Sequence, residues 1–291
     1  MCYLTQASDL TNTARARDIA QKVTRRFLSS QKRRAFRMAL THVGVGDRAA
    51  IHLGLEKVCP SDVFIVSFPK SGNTWVRFLL SDLLEPHSVK NLADVGKIVP
   101  DIYHDITLIN KMLPPRYIKS HDPNFEMFPR TLYIVRDVRD VMVSYYNYCC
   151  GNDWFNGTIS AFIRNYLKNG SKFGFWHEHV KKALEFSSSY PNRCLMIKYE
   201  DLLCDITESA RAICSFTGLR KNTKEIEHAV KVSDFSTLSS IEDSSDCKSF
   251  MKTGKFFRRG SSGQWQEWLN EDDLRLIYEK HEPILSELGY L

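Results

Sequence analysis

Hydrophobic positions follow two rhythms along the chain. Short, nearly continuous apolar runs occur at Val63 to Phe68, Leu132 to Val135 and Leu195 to Tyr199, and a shorter one starts at Tyr117 and Ile118 and ends at His121. Runs of this length, rich in branched and aromatic side chains, predict strands buried on both faces. Between and after them lie stretches with helical spacing: Thr74 to Leu84, Val138 to about Cys150, Ser160 to Leu167, Glu178 to Phe186, about Leu203 to Thr217 before Gly218, and Glu271 to Leu285. Short strands alternating with such helices predict one α/β domain of three layers, with a central parallel sheet covered on both sides. Ser233 to Gly263, rich in Ser, Asp, Lys and Gly, reads as a long loop or lid.

Composition narrows the class. The 291 residues are 43% hydrophobic and 25% charged, with only 14 Gly and 10 Pro, which excludes collagenous, low-complexity and largely disordered chains. No run approaches ~18 consecutive apolar residues, so no stable membrane insertion is expected. The polar start, Met1 to Leu10, lacks the pattern of a secretory signal. Eight cysteines with no C-x-x-C pair fit reduced thiols in a cytoplasmic setting.

Charge is unevenly placed. Residues 1–50 carry 10 Lys or Arg against 3 Asp or Glu, whereas residues 51–291 carry 30 against 31. Apolar Ala16, Ile19, Ala20, Val23, Phe27, Phe36 and Leu40 recur at helical spacing within the basic segment. The expected division is a basic helical segment at 1–50 packed on a main domain at 51–291. Weak contact of residues 15–37 with an anionic surface and a flexible tail are the other readings. Without interleaved aromatics the run gives little support for nucleic-acid binding.

The most informative stretch is Val66-Ser67-Phe68-Pro69-Lys70-Ser71-Gly72-Asn73-Thr74-Trp75, a strand leading through a tight turn directly into a helix. Such a turn gathers backbone N–H groups into one concavity, to which the helix adds its positive end and Lys70 a charge. The arrangement suits phosphate or sulfate. It is not a nucleoside-triphosphatase loop, because Lys70 precedes Gly72 and no glycines lie upstream in the turn. Arg136 ends another strand, Ser144 follows eight residues later, and Arg258-Arg259-Gly260 lies in the expected lid. Two separated arginine sites and the turn suit a ligand with two phosphate-like groups.

Together these segments resemble the soluble sulfotransferases that use 3′-phosphoadenosine 5′-phosphosulfate and act on small molecules. Phe68 through Trp75 looks like the family's 5′-phosphosulfate loop, Arg136 through Ser144 like its 3′-phosphate segment, Lys119-Ser120-His121 like its catalytic segment, and Arg258-Arg259-Gly260 with Gly263 and Trp265 like its C-terminal motif. The four stand in family order over about residues 62 to 268. The resemblance implies a fold akin to the P-loop nucleotide kinases, with His121 as base, Lys70 on the bridging oxygen and Lys119 near the transferring group. It implies that Lys70, Ser71, Gly72, Asn73 and Thr74 surround the 5′ end, while Arg136, Ser144, Arg258, Arg259 and the Gly260 amide hold the 3′-phosphate. Trp75 and Phe235 would pack the adenine, with Tyr199 and Ser233 beside it. No metal is implied.

Some positions depart from the family pattern. Asn73 stands where threonine is usual, and Arg259 where lysine is usual. Gln266-Glu267-Trp268-Leu269-Asn270-Glu271 replaces the family's dimerisation sequence, which leaves the oligomeric state open. Cys149, Trp154, Phe155, Phe175 and Trp176 belong either to the core or to an acceptor pocket. Asp153, with Asp122 and Glu126 near the base in sequence, suggests a cationic or hydroxyl-rich acceptor. The expected activity is sulfuryl transfer to a hydroxyl or amine nitrogen of a small, polar molecule, such as a natural product, releasing adenosine 3′,5′-bisphosphate. A carbohydrate or glycolipid sulfotransferase, a phosphoryl-transfer protein and an inactive nucleotide-binding module are the alternatives.

Overall fold

In the computed structural model, which describes residues 52–244 and 251–291, four parallel strands form the sheet: β1 (Val63–Ser67), β2 (Tyr117–Ser120), β3 (Arg130–Val135) and β4 (Cys194–Lys198), in the order β2-β1-β3-β4. Val66 lies level with both Ser120 and Tyr133, so the carboxyl ends of β2, β1 and β3 are aligned. The basic segment expected at 1–50 lies outside the described residues.

Every residue of β1 is buried, because its two faces feed different cores. Phe64 and Val66 join Ile118, Tyr133 and Val135 under the helices α4 (Val138–Gly151), α5 (Ile159–Asn169), α6 (Trp176–Ser189) and α12 (Glu271–Glu287). Val63 and Ile65 join Leu132, Ile134 and Ile197 under α1 (Asn73–Leu84), α2 (Leu92–Ile98), α8 (Ile206–Thr217), α9 (Thr223–Val232) and α10 (Phe235–Asp243). That two-sided cover explains the unbroken apolar runs. Fully burying such a side chain contributes about 1.5–3 kcal/mol, so a charge at Ile65 would break both the sheet and its cover.

The structure adds α2, α3 (Ile106–Lys111) and α9 to the helices read from the sequence. The helix expected over Leu203 to Thr217 is divided at Asp205 into α7 (Tyr199–Cys204) and α8, since Asp205 leaves helical geometry and its carboxylate caps the Glu208 N–H. Gly218 ends α8 in the left-handed conformation, as a C-terminal glycine does. The stretch expected as one lid loop contains α10, where Asp234 caps the Ser236 N–H and Leu238 is buried. Residues 251–264 then run without helix or strand to a short turn of helix, α11 (Trp265–Trp268). Among the described residues no helix is long and apolar enough to cross a membrane.

Candidate active site

Each strand delivers a motif residue at its carboxyl end: β1 runs into the Phe68–Gly72 turn, β2 into His121, β3 into Arg136 and β4 into Tyr199. The helices that follow β1 and β3, α1 and α4, pack on opposite faces of the sheet, which opens a crevice where ligands of open α/β sheets bind. Segments far apart in sequence thus meet at one edge.

The turn after β1 is curled by two left-handed residues, Lys70 at φ 69° and Gly72 at φ 100°. A Cβ on Gly72 would stand 2.6 Å from the Tyr199 ring, so glycine is needed there for space as well as for φ. Gly72 is the N-cap of α1 and gives no side-chain acceptor to the first-turn N–H groups. The Ser71 Oγ is buried without a partner among the described residues. These donors form a cradle with the chemistry of an anion site. The Lys70 ammonium lies 3.8 Å from the Phe256 ring centre and 4.2 Å from that of Tyr148. Burial, and next the positive charge of Arg136, bring its pKa down to about 7.

Arg136 stacks on Tyr199 at 4.2 Å and donates to the Ser261 carbonyl at 3.1 Å, while its buried Nε has no partner. Asp140, one helical turn on, accepts the Gly263 N–H at 2.8 Å and the Trp265 N–H at 3.1 Å. The C-terminal motif is thereby drawn over the end of β3. Arg258 donates to the Gln264 side chain, and burial, then Arg259 and Arg136, lower its pKa. Crowded guanidiniums repel one another, and a shared anion would relieve them. Gly260, at φ 60°, lets the chain lie against Phe235: a Cβ there would be 2.2 Å from that ring. The Trp75 indole donates to the Ser233 carbonyl at 2.7 Å and meets Tyr199 edge-on at 5.5 Å, which ties α1 to the start of α10. Thr74 is half-buried in the first turn of α1, and Ser144 is half-buried on α4.

His121 faces the same crevice. Its Nδ1–H donates to the Ser67 carbonyl at 2.7 Å, and burial, with the nearby Lys119 charge, holds its pKa well below the usual 6.5. The ring is therefore neutral, and to satisfy that carbonyl it carries its one proton on Nδ1, so Nε2 is left as a lone pair. Tyr103 accepts the His121 backbone N–H at 3.0 Å, and the Tyr103 and Phe173 rings lie 6.3 and 5.1 Å from the imidazole. The Lys119 ammonium is bound to the Asp101 carboxylate at 2.6 Å, both largely buried. Its pKa is lowered by burial, against which Asp101 acts.

Several of the sequence-predicted site residues have partners within the protein. The Asn73 amide donates back to the Ile65 carbonyl at 3.1 Å and so braces the turn. Arg259 is half-exposed and pairs with Glu267 at 2.5 Å. Ser233 turns its hydroxyl to the Ala229 carbonyl at 2.8 Å. Trp176 is core, its indole donating to the Arg136 carbonyl at 3.1 Å, whereas Trp154 is exposed. Asp153 pairs with Lys252 at 3.4 Å and Asp122 with His52 at 2.8 Å, and the charged side chain over Tyr103 and Phe173 is Lys172. Asp101, Tyr103, Tyr148 and Phe256 complete the site without any local sequence signal. Among the described residues no cluster of three or more His, Cys, Asp or Glu is placed to hold a metal.

A family model described as the sulfotransferase domain matches residues 60–288. Cytosolic sulfotransferase 1 of Danio rerio is 28% identical over 244 residues, covering 71% of this chain and 77% of its own. Among solved structures, retinol dehydratase in complex with androsterone and PAP is similar at a TM-score of 0.65 and 20% identity, covering 78% of this chain and 81% of its own. A mouse sulfotransferase complexed with PAP is similar at a TM-score of 0.63 and 22% identity, with 87% and 95% covered.

Proposed function

The chain belongs to the sulfotransferase family, and on that premise we propose that it transfers a sulfuryl group from 3′-phosphoadenosine 5′-phosphosulfate to a hydroxyl or amine nitrogen of a small molecule. The bound donor would supply the sulfuryl group and leave as adenosine 3′,5′-bisphosphate. The observation that carries this reading is the neutral His121, fixed on the Ser67 carbonyl beside the Lys70 turn with Nε2 free to take a proton.

The residues fit the donor. Ser71, whose Oγ is buried and unpartnered among the described residues, and the first-turn amides of α1, which have no side-chain cap, would take the 5′ end, and the Nε of Arg136, with Ser144, Arg258 and the Gly260 amide, the 3′-phosphate. Trp75, Phe235 and Tyr199 would enclose the base. His121 accepts the acceptor proton at Nε2, a role worth about 10²–10⁴ in rate. Lys70 offsets the charge that develops on the departing phosphate, and Lys119, oriented by Asp101, adds to the same field.

The neighbouring structures hold androsterone or retinol, so flat apolar alcohols belong in an acceptor screen beside polar phenols and carbohydrates. The free thiols at Cys59, Cys149 and Cys194, with the cytosolic relative, support a cytoplasmic setting. The test is calorimetry with adenosine 3′,5′-bisphosphate, with and without chelator, followed by turnover with labelled donor. Tight, chelator-insensitive binding that weakens at least tenfold in Arg136→Ala is expected. A folded wild-type protein that binds no bisphosphate would overturn the reading.

A further inference from the structure

Behind the base runs a chain of buried hydrogen bonds that none of the four motifs contains. Tyr133, on β3, and His179, on α6, are both buried, and the phenol donates to His179 Nδ1 at 2.8 Å. The His179 Nε2–H donates to the main-chain carbonyl of His121 at 3.1 Å. His121 in turn donates from Nδ1 to the Ser67 carbonyl at 2.7 Å.

The direction of each step is forced. Burial pushes the Tyr133 phenol far above its usual pKa, so it keeps its proton and donates. Burial also brings His179 down to about 4, so the neutral ring carries one proton, and the carbonyl partner requires it on Nε2. His179 is enclosed by rings: Phe68 and Phe125 meet it edge-on at 5.7 and 5.9 Å, and Tyr133 stacks at 5.7 Å. A histidine so placed has one available role for each nitrogen, and both roles are filled.

We infer that Tyr133 and His179 are positioning residues for His121: the chain Tyr133 to His179 to the His121 carbonyl holds the backbone from which the imidazole reaches Ser67. This rests on His121 being the base. The residue is gripped at three points: its N–H by Tyr103, its C=O by His179 and its Nδ1 by Ser67. Loss of the carbonyl grip lets the ring tilt, and a misplacement of ~1 Å can lower turnover about 10²-fold.

The experiment compares wild type with His179→Leu, His179→Gln, Tyr133→Phe and His121→Ala. Readouts are kcat, KM, bisphosphate affinity, thermal stability and the 15N signature of the His121 tautomer. Expected is a kcat loss of about 10–100-fold in His179→Leu, with bisphosphate affinity within twofold and a mixed His121 tautomer. His179→Gln, whose amide can still donate to the carbonyl, recovers most of the rate. Tyr133→Phe, which keeps the ring packing and so guards against a folding failure, shows a smaller loss of the same kind. A kcat within twofold of wild type in folded His179→Leu and Tyr133→Phe overturns the inference, as does a loss that tracks bisphosphate affinity. His121→Ala separates the two readings: if it retains full turnover, the base assignment fails, whereas a dead His121→Ala beside an active His179→Leu sinks the positioning role alone.

Discussion

The turn that follows β1 and the histidine that follows β2 sit on adjacent strands, yet they are built in opposite ways. Around the turn, polar groups are left open: Ser71 Oγ and Arg136 Nε are buried and unpartnered, α1 has no side-chain N-cap, and guanidiniums crowd at the C-terminal motif. Around His121 the opposite holds: backbone N–H, backbone C=O and Nδ1 each have a partner, leaving Nε2 for chemistry. Buried polar groups without partners are costly, so on the proposed reading the donor completes the open side, while the closed side is set beforehand. A binding half that waits for an anion and a reacting half that does not move is the division the proposed chemistry asks for.

Four changes test that division. The largest effect is expected from His121→Ala: turnover falls about 10²–10⁴-fold while bisphosphate affinity by calorimetry stays within twofold. A matching fall in affinity would show that the two halves are not separable. Next comes Gly72→Ala, which demands a left-handed alanine with its Cβ against Tyr199. A melt should report about 1–3 kcal/mol of lost stability, with weaker bisphosphate binding.

The third test is pH. Lys70 in the free protein has a pKa of about 7, and an anion beside it raises that value. Below pH 7 the ammonium is charged before and after binding, so affinity is flat. Above pH 7 binding must take up a proton, and affinity drops by up to about tenfold per unit until the bound pKa is passed. Lys70→Met should remove that slope. His121, its pKa already well below 6.5, adds no loss of activity as the pH falls to 6.5. The smallest effect belongs to Lys172, exposed at the rim over Tyr103 and Phe173. Lys172→Glu should shift kcat/KM from anionic toward cationic phenols by a few-fold, the scale of an exposed charge interaction. Equal ratios for both acceptor types would place Lys172 outside the acceptor path.

Much of this molecule was legible in one dimension. The central strands β1 and β3 announce themselves as unbroken apolar runs because both faces of the sheet are covered, and burial on two sides leaves no place for polar alternation. The anion turn is equally local, since a strand, two left-handed residues and a helix N-terminus lie within ten positions. Helix α10 was hidden because serines at three of its nine positions masked a few apolar contacts with the core.

What the order of residues determined by itself was the strands, the longer helices, the turn and the residue types proposed for the chemistry, all properties of short stretches and their backbone preferences. Only the tertiary structure decided which group would be free to act. Parallel pairing set His121 against the Ser67 carbonyl, α6 brought His179 to its backbone, and the isolated bridge between Asp101 and Lys119 gave that lysine its carboxylate. The same packing turned Asn73 inward and paired Asp153 with Lys252. A side chain's chemistry is carried by its own atoms, but its proton, its charge and its direction depend on partners that arrive from other elements.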